Sequence, residues 1–244
     1  IDDTATGQRK QLVMTPTPAT ETMEMANGTT QTAQVYEAVP VPWIGFAPDN
    51  RLITSGTDFM VKFWDPSTFE KLPGEFKLPH LGHAFAYTPD GKYMIISLDK
   101  SGEPDYLYVR SLESGTYVSQ IEVSDRPNTL HLSKDGSQLL ASNRNGWAYL
   151  WSINNGVLSN ERVIARTAKP SNCAIFSPDE KSIFVASNDP DCCLSEYDVE
   201  TGEAVWVHPR SGFGVHTIVW LPDGRLAGTC SDMKLRIWSK GSAE

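Results

Sequence analysis

Five copies of one short turn, almost evenly spaced, limit what this chain can fold into more than any other feature of its sequence. They are Phe46-Ala47-Pro48-Asp49-Asn50, Tyr87-Thr88-Pro89-Asp90-Gly91, Leu132-Ser133-Lys134-Asp135-Gly136, Phe176-Ser177-Pro178-Asp179-Glu180 and Trp220-Leu221-Pro222-Asp223-Gly224. The steps between their aspartates are 41, 45, 44 and 44 residues. Pro presets its own φ, Asp bonds the backbone two residues on, and Gly or Asn accepts positive φ, so each copy reads as a tight turn. Short runs rich in β-branched and apolar residues stand on both sides of it and read as hairpin strands. A second set of such runs follows at 60–65, 107–110, 148–152, 194–198 and 235–239. Turn signals such as Asn154-Asn155-Gly156 and Glu200-Thr201-Gly202 close several of these, and a further run follows at 117–123 and 204–207.

Each unit therefore predicts four short antiparallel strands in about 44 residues. One such sheet cannot bury both of its faces, but sheets set radially about an axis shield one another. The fold expected is all-β, a β-propeller of four-stranded antiparallel blades, about five of them in this chain. Composition agrees with a globular chain: of 244 residues, 40% are hydrophobic and 21% charged. No run approaches the roughly 18 apolar residues of a membrane-spanning helix. A net charge of −9 argues against broad neutralisation of a nucleic-acid backbone. Four cysteines do not make a disulfide scaffold.

The chain resembles the WD-repeat family of β-propellers over roughly residues 40–240. The residues that carry the likeness are Phe63-Trp64-Asp65, Trp151 and Trp238 at the ends of equivalent strands, and the Phe-Ser-Pro-Asp turn from Phe176 to Asp179. The departures are the lack of the family's Gly-His before each turn, and Arg110 and Tyr197 where Trp is usual. The family's His–Ser–Asp–Trp hydrogen-bond network is thus expected to be incomplete. Asp58 with Trp64 and Asp232 with Trp238 are its expected remnants, with Trp151, in a structural role. The resemblance implies a rigid platform that docks proteins or peptides, often as a subunit of a larger complex. It also implies a cytoplasmic or nuclear setting.

Three segments are expected. Residues 1–14 match the end of a blade, with 11–14 as a fourth strand that closes the ring against the C-terminal three. Residues 15–38, rich in Thr and Pro, do not fit the repeat and read as a long loop or disordered insert. Residues 39–244 are the blades. Two rings satisfy this pattern: a closed one of five blades, or one of seven with two blades upstream.

No constellation for chemistry stands out. His80 and His83, or Cys192 and Cys193, lack the second spaced pair of a tetrahedral zinc site. There is no Gly-x-Ser-x-Gly elbow and no phosphate-cradling loop before a helix. The repeated aspartates are explained by turn chemistry. No catalytic residue, cofactor or metal is therefore expected. The turns at the aspartates gather on one face. The connections between blades gather on the other, with His80, His83, His208 and His216 in or beside them. Trp43, Arg144, Trp147, Arg210 and Phe213 are the expected partner contacts there, because aromatic and Arg side chains anchor interfaces. The alternative for Trp147 is packing between blades. The alternative function is a ligand-binding or enzymatic propeller with His83, His131, Asn172 and His216 at a central channel.

Overall fold

In a computed structural model of the chain, residues 17–24, 30–37, 41, 43–99, 104–189, 191, 193–208 and 212–239 are described. Every regular element among them is a β-strand. The strands fall in two units, one of Ile1–Phe46 and Asn50–Pro79, the other of Ala47–Asp49 and His80–Glu244.

The first unit holds a hairpin of β1 (Thr17–Glu24) and β2 (Thr30–Glu37), with Thr17 opposite Glu37 and Glu24 opposite Thr30. The stretch 15–38, read from sequence as a loop or insert, thus contains paired backbone. Thr, Val and Tyr favour the extended chain, and Asn27-Gly28, a hairpin dipeptide, stands in sequence between the two strands. The expected closing strand in residues 1–14 lies outside the described residues. The same unit holds an antiparallel sheet of β3 (Trp43–Phe46), β4 (Leu52–Ser55), β5 (Met60–Trp64) and β6 (Lys71–Lys77), in that order.

The second unit repeats this plan. Its first sheet is β7 (Leu81–Tyr87), β8 (Tyr93–Asp99), β9 (Asp105–Ser111) and β10 (Tyr117–Val123). The next is β11 (Pro127–Leu132), β12 (Gln138–Asn143), β13 (Trp147–Asn154) and β14 (Val157–Arg166). The third is β15 (Ser171–Phe176), β16 (Ser182–Ser187), β17 (Leu194–Asp198) and β18 (Ala204–Val207). The last has three strands among the described residues, β19 (Val215–Trp220), β20 (Leu226–Cys230) and β21 (Leu235–Trp238). Within this unit β11 lies against both β7 and β15, and β15 against β19, so first strands neighbour first strands. The fold is a β-propeller built from antiparallel blades, with five blade sheets among the described residues.

The core lies between blades. Leu140, Leu150 and Ile164 of one sheet meet Phe176, Ile183 and Val185 of the next. Ile95, Leu107 and Val109 meet Leu139, Tyr149 and Trp151 in the same manner. Strands covered on both faces need apolar or small residues at every position, which is why all six positions of β16 are buried. The fourth strands stand at the outside and are mostly exposed, as in β10 and β18. Each fully buried Leu or Ile contributes about 1.5–3 kcal/mol, so a blade is held chiefly by its neighbours.

The recurring turns explain the even spacing. The residue after the aspartate has positive φ in all five: Asn50 at 67°, Gly91 at 70°, Gly136 at 72°, Glu180 at 58° and Gly224 at 81°. Thr88, Ser133 and Ser177 each donate a hydroxyl hydrogen bond to the aspartate two residues on, at 2.6, 2.7 and 2.7 Å. Each hydroxyl also accepts the backbone N–H of the residue five on, Tyr93, Gln138 or Ser182.

Three of these turns depart from Pro-Asp-Gly, at Asn50, Lys134 and Glu180, and the last two departures meet. Lys134, where the others have Pro, has a backbone N–H that it donates to the Glu180 carboxylate. Its ammonium bonds the Pro178 carbonyl. Glu180 stands where Gly is usual and holds positive φ at a steric cost. The pair ties the turn of one blade to that of the next.

Candidate functional site

The end of the blades opposite these turns is built from the inter-blade connectors and the turns between second and third strands. In the sheet β11–β14, residues 144–146 join β12 to β13, and 167–170 lead from β14 toward β15. Trp147 opens β13, and its Cα partner across the hairpin is Arg166, the last residue of β14. The Arg166 guanidinium lies 4.6 Å over the indole. The other side of Trp147 packs on the core: its ring centroid is 5.9 Å from Tyr149, which stacks on Trp151 at 5.5 Å. The Tyr149 hydroxyl shares a 2.6 Å hydrogen bond with Ser124 on the preceding connector. Trp147 is thus half-buried, combining inter-blade packing with a partly open edge.

Arg144 is exposed in the turn beside it, and Arg166 and Lys169 are exposed on the connector. The connector is locked to the turn. Thr167 N–H donates to the Gly146 carbonyl at 2.6 Å, and Thr167 Oγ1 donates to the Lys169 carbonyl at 2.7 Å. Gly146 has φ of 83°, and a Cβ there would come within 2.6 Å of the Lys169 carbonyl oxygen, so only glycine permits this approach. Asp125 anchors the turn from the other side, its carboxylate accepting the Asn145 N–H at 3.1 Å.

The neighbouring sheet carries a polar cluster at the same end. Arg126 donates to the Asp99 carboxylate and lies 2.9 Å from His83 Nε2. Burial, then the Arg126 charge, pushes the His83 pKa below its ordinary value, against an opposing pull from Asp99. Burial raises the Asp105 carboxyl, although the Arg126 backbone N–H bonds it.

Phe213 lies at the end of the sheet β19–β21, separated from Trp147 by the sheet β15–β18. It is half-buried under Arg236, whose guanidinium sits 3.6 Å over the ring, and His208 faces it at 6.2 Å. Arg236 is held by Asp232 through two 2.8 Å bonds, which keep the Asp232 carboxyl at about 2. Trp43 belongs to the first unit, where its indole folds over Gly45 so closely that a Cβ there would be 2.6 Å from it. Arg210 lies outside the described residues. Of the five expected contacts, the structure therefore brings Arg144 and Trp147 together.

The structural remnants take different partners from those expected. Trp64 Nε1 donates to Thr54 at 2.9 Å, in the buried interior, and not to Asp58. Asp58 instead accepts Met60 N–H at 3.0 Å and Lys62 Nζ at 2.7 Å. The β-ladder registers put Ile96, Ala141, Val185 and Gly228 where Thr54 stands in the other sheets. With no hydroxyl beneath it, Trp151 turns its N–H to Glu161 on β14, at 3.1 Å. Trp238 is buried over Gly228, whose added Cβ would meet its ring at 2.9 Å. Asp232 bonds Arg236.

The residues considered for a channel site are engaged separately. His83 is in the Asp99–Arg126 cluster, and His131 packs on Phe176 at 5.8 Å. Asn172 donates to Asn188 Oδ1 and the Val215 carbonyl, both at 2.8 Å, while His216 is exposed. Among the described residues, no three His, Cys, Asp or Glu side chains are grouped to hold a metal. Also among them, no helix is long and apolar enough to cross a membrane.

Comparison with known proteins agrees with this geometry. Residues 33–65 and 204–239 match the family model "WD domain, G-beta repeat". Over 118 residues the chain is 25% identical to a WD repeat-containing protein 26 homolog of Arabidopsis thaliana. That match takes in 47% of this chain and 20% of the relative, so the chain spans a minor part of the relative's length. Among solved structures it is similar to Kuenenia stuttgartiensis hydrazine synthase, with a TM-score of 0.66 and 22% identity. That likeness covers 80% of this chain and 57% of the other, and at this identity it shows the fold alone. The fold is a β-propeller, and two stretches of the chain are similar to the WD repeat.

Proposed function

We propose that this chain is a non-catalytic docking scaffold inside the cell, one that captures a protein or peptide partner on the connector end of its blades. The observation that carries the reading is the grouping of Trp147, Arg144 and Arg166 around one connector rigidly held by Gly146 and Thr167. Interface energy concentrates in aromatic and Arg side chains whose geometry is fixed before binding. Resemblance to the WD-repeat family of interaction platforms supports it by analogy alone.

Partner capture from the source cells tests this. Charge reversal at Arg144 and Arg210 together with Trp147→Ala is expected to reduce recovery of bound proteins at least about tenfold, roughly 1.4 kcal/mol. Recovery equal to that of the unaltered chain would sink the assignment of this end. The channel reading ranks second because His83, His131 and Asn172 each contact different neighbours and His216 is exposed. Stoichiometric metal retained by the purified chain would promote it.

A further inference from the structure

The connector end of the sheet β11–β14 specifies the chemistry of what it docks. We infer that it binds a short acidic peptide segment, whose carboxylates meet Arg144, Arg166 and Lys169 and whose apolar side chain lies on Trp147. This rests on the docking reading above and goes beyond it by naming the partner's charge.

The chain is acidic, and several of its described cations are already matched. Lys62 pairs with Asp58, Lys71 with Glu75, Arg126 with Asp99, Arg225 with Asp223 and Arg236 with Asp232. Arg144, Arg166 and Lys169 have no ion-pair partner among the described residues, and all three are exposed. They stand on a turn and a connector that are locked together through Gly146 and Thr167.

Arg166 is the most telling of them. Its guanidinium carbon lies 4.6 Å over the Trp147 ring, a contact that restrains the side chain, and the residue is exposed. A planar fork held in place loses little further freedom when a carboxylate bonds it in two places. The half-buried indole supplies apolar contact at the same spot.

A nucleic-acid backbone fits less well. It needs cations along a track, and here the neighbouring sheet presents Asp99, Asp105 and Asp125. Those carboxylates would repel a continuous polyanion, whereas a short segment need reach no further than the three cations. The Asp125 carboxylate is itself bonded to Asn145 N–H at 3.1 Å.

The test uses the full chain and fluorescence anisotropy of a labelled Glu-rich peptide with one central Leu, beside its Gln counterpart. The Glu peptide is expected to bind at least about tenfold more tightly, and to weaken as salt rises, because exposed charges are screened. Arg166→Glu with Lys169→Glu is expected to abolish that preference, and Arg166→Gln to reduce it, while Lys92→Glu in the turn of a different sheet leaves it unchanged. Far-UV spectra and melting curves of each variant check that the fold persists. Failure of the Glu peptide to bind, equal binding of both peptides, or an unchanged preference in the double variant would overturn the inference. So would tighter binding of a single-stranded oligonucleotide of equal charge. If Trp147→Ala loses partner capture from cells while the double reversal retains it, the acidic chemistry fails and the docking face stands.

Discussion

The turn end of the blades and the connector end of the sheet β11–β14 use charge differently. At the turn end, acidic residues are spent on their own backbone. Thr88 and the Lys92 N–H hold Asp90, Ser137 and Ser133 hold Asp135, and Arg225 holds Asp223, each depressing the carboxyl pKa. At the connector end of the sheet β11–β14, Arg144, Arg166 and Lys169 are left without carboxylates among the described residues. A net charge of −9 therefore describes the chain but not the surface that it offers a partner. Charge that satisfies a turn is lost to recognition, whereas charge on a rigid connector is available for it.

The largest effect should come from the device that fixes the connector end. Gly146→Ala forces a Cβ into a positive φ and against two carbonyl oxygens. It is expected to cost about 2–3 kcal/mol in urea unfolding and to weaken partner binding. A neutral result would show that the connector is not locked. At the turn end, Ser177→Ala removes a hydroxyl that serves Asp179 and the Ser182 N–H at once. About 1–2 kcal/mol should be lost in the same assay, with no change in partner binding.

The turns and strands were legible because they are local. Pro-Asp-Gly punctuation and the flanking apolar runs report backbone geometry within a few residues of themselves. Even Glu180, outside the pattern, keeps the positive φ that its position demands. What escaped depends on register and distance. Two irregularities in the β13–β14 ladder decide that Arg166 stands across from Trp147. Counting along the sequence without them would pair the wrong residues. The choice of Thr54 over Asp58 by Trp64 is similar, because Thr54 lies on the adjacent strand. Arg126, 27 residues beyond Asp99, reaches it through the fold. The segment 15–38 reads as loop or insert from its polarity, and within it Thr17–Glu24 and Thr30–Glu37 pair as a hairpin.

A smaller effect sharpens the view that turn-end charge is self-contained. Lys134→Pro with Glu180→Gly restores the usual turn at both positions and removes their hydrogen bonds. Each single change should destabilise, while the double variant costs less than their sum by about 1 kcal/mol or below. Strict additivity would mean that the two departures are independent.

The smallest effects are those of pH. Asp65, Asp90, Asp135, Asp198 and Asp223 have carboxyls below 3.8, held there mainly by hydrogen bonds from their own turns. A carboxylate with a lowered native pKa adds stability that is present above its unfolded value and is lost as pH falls. Stability should therefore decline modestly from about pH 4 downward. Asp232, at about 2, is the last to be protonated. Asp105, at the connector end, has the opposite sign. Burial raises its carboxyl, so its protonation favours the fold as pH falls through its native value. Carboxyl NMR titration should find Asp105 above the turn-end group; a common value for all would erase the contrast.

The most direct measurement is hydrogen–deuterium exchange of the chain with and without its captured partner. Protection is expected at 144–147 and 166–169, with 133–137 and 177–182 unchanged. Protection confined to the Asp-bearing turns, with the connector end left unprotected, would contradict a docking surface built on Trp147 and its unpaired cations.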